Sequence, residues 1–311
     1  MRLFFLALPF LVLGATPTIV DEVHQAIVQN NLPLAEAYVQ RYRAQNGVTA
    51  EMIEAVSWLG RGALAVKQFD KAEAYAKQTE ELAVAELKKR SLDAEPHLPL
   101  AVGASIEVQA QAMAERGERN EAVSFLRAQL AAYRRTSIET RIHKNLNLLS
   151  LEGKRAPELQ AREFLGPKPP ALASLKGKPV LLFFWAHWCG DCKGDEPLIA
   201  RLRSEYAGQG LVVIGPTQRY GYAARGEEAS PAEELKYIDQ VRRQFYGDLL
   251  DMPAPISELN FKNYGASTTP TLVFIDKQGI VRVYHPGKMT IEELRAAMDR
   301  VLEASARLAR P

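Results

Sequence analysis

The feature that most constrains this chain is a short junction near its middle. Pro179-Val-Leu-Leu-Phe-Phe-Trp185 is an unbroken apolar run, the pattern of a strand buried on both faces. Trp188-Cys189-Gly190-Asp191-Cys192 follows almost at once. It opens a segment in which Leu198, Leu202 and Tyr206 recur at helical spacing, with Pro197 set to kink the helix. A strand covered on both sides and followed directly by a helix calls for a layered α/β domain. The cysteines then sit at the helix N-terminus, where free N–H groups and partial positive charge stabilise a thiolate.

Cys189 and Cys192 are the chain's only cysteines. Cys189, at the helix end, is expected to be the exposed nucleophile. Cys192, one turn further in, is expected to be covered and close enough to attack a mixed disulfide. A lone Cys-x-x-Cys is also half of a zinc site or an inert staple. Zinc needs four ligands; there is no second such pair, and the five histidines show no ligand spacing. Dithiol exchange is therefore the reading, with no metal and no cofactor. His187 could lower the Cys189 pKa when protonated, but is expected to be an exposed bystander.

The order of elements around the junction fits an α/β domain. Leu211 to Gly215 is a second buried strand. Ser230-Pro231-Ala232-Glu233 is a capping box with proline at the first helical position. Thr271–Ile275 and Ile280–Tyr284 form a hairpin across Asp276-Lys277-Gln278-Gly279, and Thr290-Ile291-Glu292-Glu293 caps a last amphipathic helix to about Leu308.

Residues 16–150 have a different texture. They are rich in Ala, Glu, Gln, Lys and Arg, with apolar residues at spacings of three and four. The expected helices pair as hairpins: Ala50–Val66 with Lys71–Lys89, the latter capped by Asp70 with Glu73, and Leu98–Glu115 with Glu121–Arg134. A final helix follows Ser137. Val56-x-x-Leu59-Gly60-x-x-Ala63, then Phe69 and Ala72, resembles part of the tetratricopeptide pattern, in which small residues let two helices approach. An unrelated helical bundle is the alternative. Breakers from Gly153 to Pro170 mark the passage to the second domain at about residue 151.

At the start of the chain, Arg2 and the apolar run Leu3–Leu13 precede the small residues Gly14 and Ala15, the layout of a secretory signal peptide over residues 1–15. As an uncleaved anchor, the run would reach only ~16 Å, about half of a hydrocarbon core. A periplasmic or otherwise extracytoplasmic location in a bacterium is expected. A net charge of +2 and the lack of a long basic block give no electrostatic case for nucleic acid.

Phe184 to Lys193 closely resembles the active-site signature of the thioredoxin superfamily, and Thr269-Pro270-Thr271, just before a strand, resembles its cis-proline loop. Leu172-x-x-Leu175-Lys176-Gly177-Lys178-Pro179 and Pro197 resemble its exported TlpA-like (ResA-like) branch. The resemblance spans residues ~155–311 and implies a thioredoxin fold after an all-α, tetratricopeptide-like domain. It implies catalysis by Cys189 and Cys192, with Trp188, Thr269 and Pro270 beside the substrate, and reduction of protein disulfides with re-reduction by a membrane electron donor. The helical module is then expected to bind a protein. An adaptor with a secondary redox domain is the alternative. A thiol peroxidase is a lesser one, since Ala186 stands where that class carries Thr or Ser.

Three positions depart from the family pattern. Phe183 replaces a buried Asp that serves as proton acceptor. Asp195 stands where TlpA-like proteins often carry Glu, and either accepts the Cys192 proton or is simply a solvated first-turn residue. Gly190-Asp191 replaces Gly-Pro, and the Asp191 charge should oppose thiolate formation at Cys189.

Overall fold

The structure is a computed structural model that describes residues 17–308, with side chains described to 305. The expected signal peptide, residues 1–15, lies outside the described residues. Packing divides the chain into two units, Met1–Val108 and Gln109–Pro311.

The first unit contains α1 (Ile19–Val28), α2 (Leu32–Asn46), α3 (Ala50–Ala65) and α4 (Phe69–Leu87), and enters α5 (His97–Glu115). Side chains that compete for backbone donors begin three of these helices: Thr18 in a capping box with Asp21, Asn31 on Leu34 N–H, and Thr49 on Met52 N–H. Asp70 does not cap α4 as expected. The cap position is Gln68, with no side-chain hydrogen bond, and Asp70 lies in the first turn, where its charge still suits the dipole. The α3–α4 hairpin closes on small residues, with Ala63, Ala72 and Ala76 fully buried. A methyl added at Gly60 would lie 3.4 Å from the Ala72 carbonyl oxygen, so the backbones approach to ordinary van der Waals distance.

The second unit begins with the end of α5, then α6 (Arg119–Ala132) and α7 (Glu139–Ser150). Its strands are β1 (Phe164–Leu165), β2 (Val180–Phe184), β3 (Val212–Ile214), β4 (Ala254–Pro255), β5 (Thr271–Ile275) and β6 (Val281–Pro286). Helices α8 (Gly190–Glu205), α9 (Pro231–Phe245), α10 (Glu258–Tyr264) and α11 (Ile291–Leu308) lie between and after them. The main sheet has the order β3-β2-β5-β6, with β2 parallel to β3 and antiparallel to β5. The capping box at Ser230 and Glu233 and the Thr290–Glu293 cap both form. The β1–β4 pair and α10 had no clear signal in the sequence.

Strand alternation accounts for the two-sided burial of β2. Leu181, Phe183 and Trp185 pack on one side with Ile199, Ile238, Leu272 and Met298. Val180, Leu182 and Phe184 pack on the other with Phe261, Tyr264, Val273 and Ile275. Each large side chain removed from water here contributes roughly 1.5–3 kcal/mol.

The change in sequence texture falls near residue 151, but the packing division falls at Val108 and Gln109, so α6 and α7 belong with the α/β unit. The contacts responsible are specific. His143 Nδ1 lies 2.6 Å from the Lys262 carbonyl oxygen, and Asn147 Nδ2 donates to the Asn263 carbonyl at 3.3 Å. Residues 153–156 are held along the β6 side of the sheet by Gly153 N–H to Val281 O, Val281 N–H to Lys154 O and Ala156 N–H to Gly279 O. Among the described residues, no helix is long and apolar enough to cross a membrane.

Gly265 makes the α7–α10 contact possible. Its φ is +62°, and a methyl there would sit 2.3 Å from Lys144 N and 2.6 Å from the His143 carbonyl carbon. Gly265→Ala should therefore cost about 2–4 kcal/mol, from left-handed strain plus overpacking against backbone. Gly60→Ala should change stability by less than about 1 kcal/mol. Urea unfolding of the two full-length variants checks the contrast.

Candidate active site

The end of β2 is tied to the loop after β3 by three hydrogen bonds. Trp185 N–H donates to Pro216 O at 3.1 Å, Trp185 Nε1 to Gly215 O at 2.9 Å, and Thr217 Oγ1 to Trp185 O at 2.9 Å. This fixes where β2 ends and where α8 starts. Cys189 is the N-cap of α8, in extended conformation, and its Sγ accepts from Cys192 N–H at 3.0 Å. Cys189 and Cys192 are joined in a disulfide, with Cα atoms 5.3 Å apart.

The expectation that Cys189 is exposed is corrected: it is 3% exposed and Cys192 is fully buried. The Thr269 carbonyl oxygen covers Cys189, 3.4 Å from its Sγ. The Thr269–Pro270 peptide bond is cis, and Thr269 Oγ1 is buried without a partner. Thr269 is thereby placed against Cys189, while Trp188, next to Cys189 in sequence, is half exposed at 49%.

Asp195 is buried, not solvated. One turn along α8 from Cys192, it shares that helix face. Burial raises its carboxyl from the ordinary 3.8 to about 6; Lys288 opposes the rise and Asp191 adds to it. Glu196 is also buried and raised by burial, but its carboxylate accepts the Asp248 N–H at 3.0 Å, away from the cysteines. The Tyr246 ring lies 4.7 Å from that of Trp185, tilted by 44°, and its buried hydroxyl has no partner. Phe183, at the position of the family's buried acid, is wholly in the core. Asp191 is exposed and pairs with Lys288 at 3.1 Å, which offsets part of its expected opposition to the thiolate.

His187 corrects a second expectation. It is buried, not an exposed bystander. Its Nε2 lies 3.3 Å from Glu234 Oε1, and Tyr220, Tyr222 and Tyr237 surround its ring edge-on. Burial, its largest influence, lowers its pKa against the opposing pull of Glu234. Glu234, Lys288 and the tyrosines were missed in the sequence. The Tyr220-Gly221-Tyr222 cluster was a visible signal; the pairing of Glu234 with a histidine 47 positions away was not.

The Asp195 shift has a consequence for stability. A carboxyl raised in the folded state binds its proton more tightly there than in the unfolded chain, so stability falls as pH rises from about 4 through about 6. The penalty is absent below that window and complete above it, at up to roughly 3 kcal/mol. Asp195→Asn should stabilise the oxidised protein at pH 7 and leave it unchanged at pH 4, as read by urea unfolding at the two pH values.

The family model for a thioredoxin-like domain matches residues 169–302. The thioredoxin-like protein YneN of Bacillus subtilis is 32% identical over 152 residues, covering 48% of this chain and 79% of that protein. The thiol:disulfide interchange protein DsbE of Pseudomonas fluorescens is 30% identical over 135 residues, covering 43% and 66%. The thiol-disulfide oxidoreductase ResA of Bacillus anthracis is 28% identical over 149 residues, covering 48% and 78%. With its cysteine pair at the start of α8 and this similarity over the same half, the chain belongs to the thioredoxin-like family of thiol–disulfide oxidoreductases.

Proposed function

We propose that this protein reduces disulfides in other proteins outside the cytoplasm, with Cys189 as nucleophile and Cys192 as resolving thiol. The observation that carries this reading is the Cys189–Cys192 disulfide at the α8 N-terminus, with the Cys192 N–H directed at Cys189 Sγ. The same N–H and helix dipole favour a thiolate at Cys189 once the pair is reduced.

The reaction then runs in two exchanges. Cys189 thiolate attacks one sulfur of the substrate disulfide. That S–S bond breaks, and the released substrate thiolate takes a proton from solvent. Cys192 gives its proton to Asp195 and attacks Cys189 Sγ, which expels the second substrate thiolate and forms the disulfide seen here. Asp195 passes its proton to that second thiolate, so the substrate gains two electrons and two protons. Both electrons and the Cys192 proton come from the protein, and the other proton from solvent. A dithiol donor of the membrane-bound kind restores the reduced pair. Thr269 and Pro270 supply backbone groups along which an extended substrate segment can pair, and the half-exposed Trp188 beside Cys189 contacts it.

Two further parts of the reading rest on different features. Export is supported by the Leu3–Leu13 leader. The helical unit is read as a protein-binding module, supported by the exposed side chains of Val28, Val66 and Val84.

Cys192→Ser should accumulate mixed disulfides with substrate proteins through Cys189, and Cys189→Ser should trap almost none. Equal trapping by both variants, on non-reducing gels, would defeat the assignment of roles. Release from the mixed disulfide should slow as pH drops below about 6, where Asp195 is already protonated. Asp195→Asn should slow release by about 10²-fold and remove that pH limb in single-turnover kinetics.

A further inference from the structure

We propose that His187 and Glu234 are positioning residues that hold Tyr220 and Tyr222 beside Trp188. These rings form a wall that selects apolar or aromatic side chains next to the cysteine of a substrate polypeptide. The inference deepens the oxidoreductase reading and rests on it.

Glu234 is a carboxylate in the first turn of α9 and is 1% exposed. A buried carboxylate is costly unless its oxygens are satisfied. Here they accept the backbone N–H of Tyr220 at 2.5 Å and of Gly221 at 2.9 Å, with His187 Nε2 at 3.3 Å. One side chain thus ties the loop after β3 to the residue two positions before Cys189. His187 centres the cluster, with ring centroids 5.5 Å from Tyr220, 5.3 Å from Tyr222 and 5.4 Å from Tyr237, all near perpendicular. Its Nδ1 is buried with no partner. A hydrocarbon ring would fill the same cage without leaving that atom unpaired, so what the imidazole adds is the hydrogen bond to Glu234.

The cluster continues to the reactive end of the site. Tyr220 meets the Trp188 ring edge-on at 5.5 Å, and Trp188 is the half-exposed neighbour of Cys189. Tyr220 and Tyr222 are themselves only partly buried. An aromatic surface of this kind gains most from apolar and aromatic partners. It lies beside Cys189, where the side chain next to a substrate cysteine must pass.

The test uses the full-length protein and three probes. Two are cystine-bridged peptides that differ only in Phe or Ser before the attacked cysteine; the third is 2-hydroxyethyl disulfide. The readout is the Phe-to-Ser ratio of kcat/KM, from which the fraction of active protein cancels. Wild type should favour the Phe peptide by about tenfold. Glu234→Gln and His187→Leu should bring the ratio close to one. Tyr220→Ala should do the same; it leaves the backbone N–H that Glu234 holds and serves if the buried-pair variants do not fold. A wild-type ratio near one with 2-hydroxyethyl disulfide turned over would overturn this inference alone, as would an unchanged ratio in Tyr220→Ala. Failure to turn over any of the three probes would overturn the oxidoreductase reading instead.

Discussion

The burial of β2 on both faces is the constraint on which the site depends. Because Leu181, Phe183 and Trp185 point one way and Val180, Leu182 and Phe184 the other, the strand cannot shift by one residue without moving every ring to the wrong layer. Its end is further locked by the bonds from Trp185 and Thr217. The turn into α8 therefore occurs at a fixed place, and the helix N-terminus that favours a thiolate falls on Cys189 rather than a neighbour.

Around that point the protein buries several ionisable groups and treats them differently. Glu234 is fully satisfied by three donors and is a structural tie. Glu196 is partly satisfied by the Asp248 backbone. Asp195 accepts no backbone N–H among the described residues, and burial raises its carboxyl to about 6. Buried carboxylates thus differ in how many N–H groups reach them, and hydrogen bonds to the charged form oppose the rise that burial causes. Phe183 removes the family's usual acid from the strand, and Asp195 brings a carboxylate to the Cys192 side from the helix instead.

The helical part follows a different logic. Small residues set its spacing: Ala63, Ala72 and Ala76 meet in the α3–α4 hairpin, with Gly60 at ordinary contact distance from the Ala72 carbonyl. Capping residues mark where α1, α2 and α3 begin. Yet the last helices before residue 151 are shared with the α/β unit through His143, Asn147 and Gly265. Uniform helical composition hides this, because polar contacts from α7 to the carbonyls of α10 join residues more than a hundred positions apart.

By itself the sequence determined the main strands and helices around the cysteine pair, and the pair itself. The apolar run from Pro179 to Trp185, the helix spacing after Cys192, the caps at Ser230 and Thr290 and the Asp276–Gly279 turn are local signals, written in neighbouring residues. What the tertiary structure alone decided was environment. Whether Cys189 is covered, whether Asp195 is solvated, whether His187 is a bystander, and where Asp191 finds its counter-charge all depend on chains that arrive from elsewhere: Thr269, Glu234, Tyr220 and Lys288. Desolvation and charge pairing act over a few ångströms in space and carry no fixed spacing in sequence. The chemistry was therefore legible from its residues, and its tuning only from their packing.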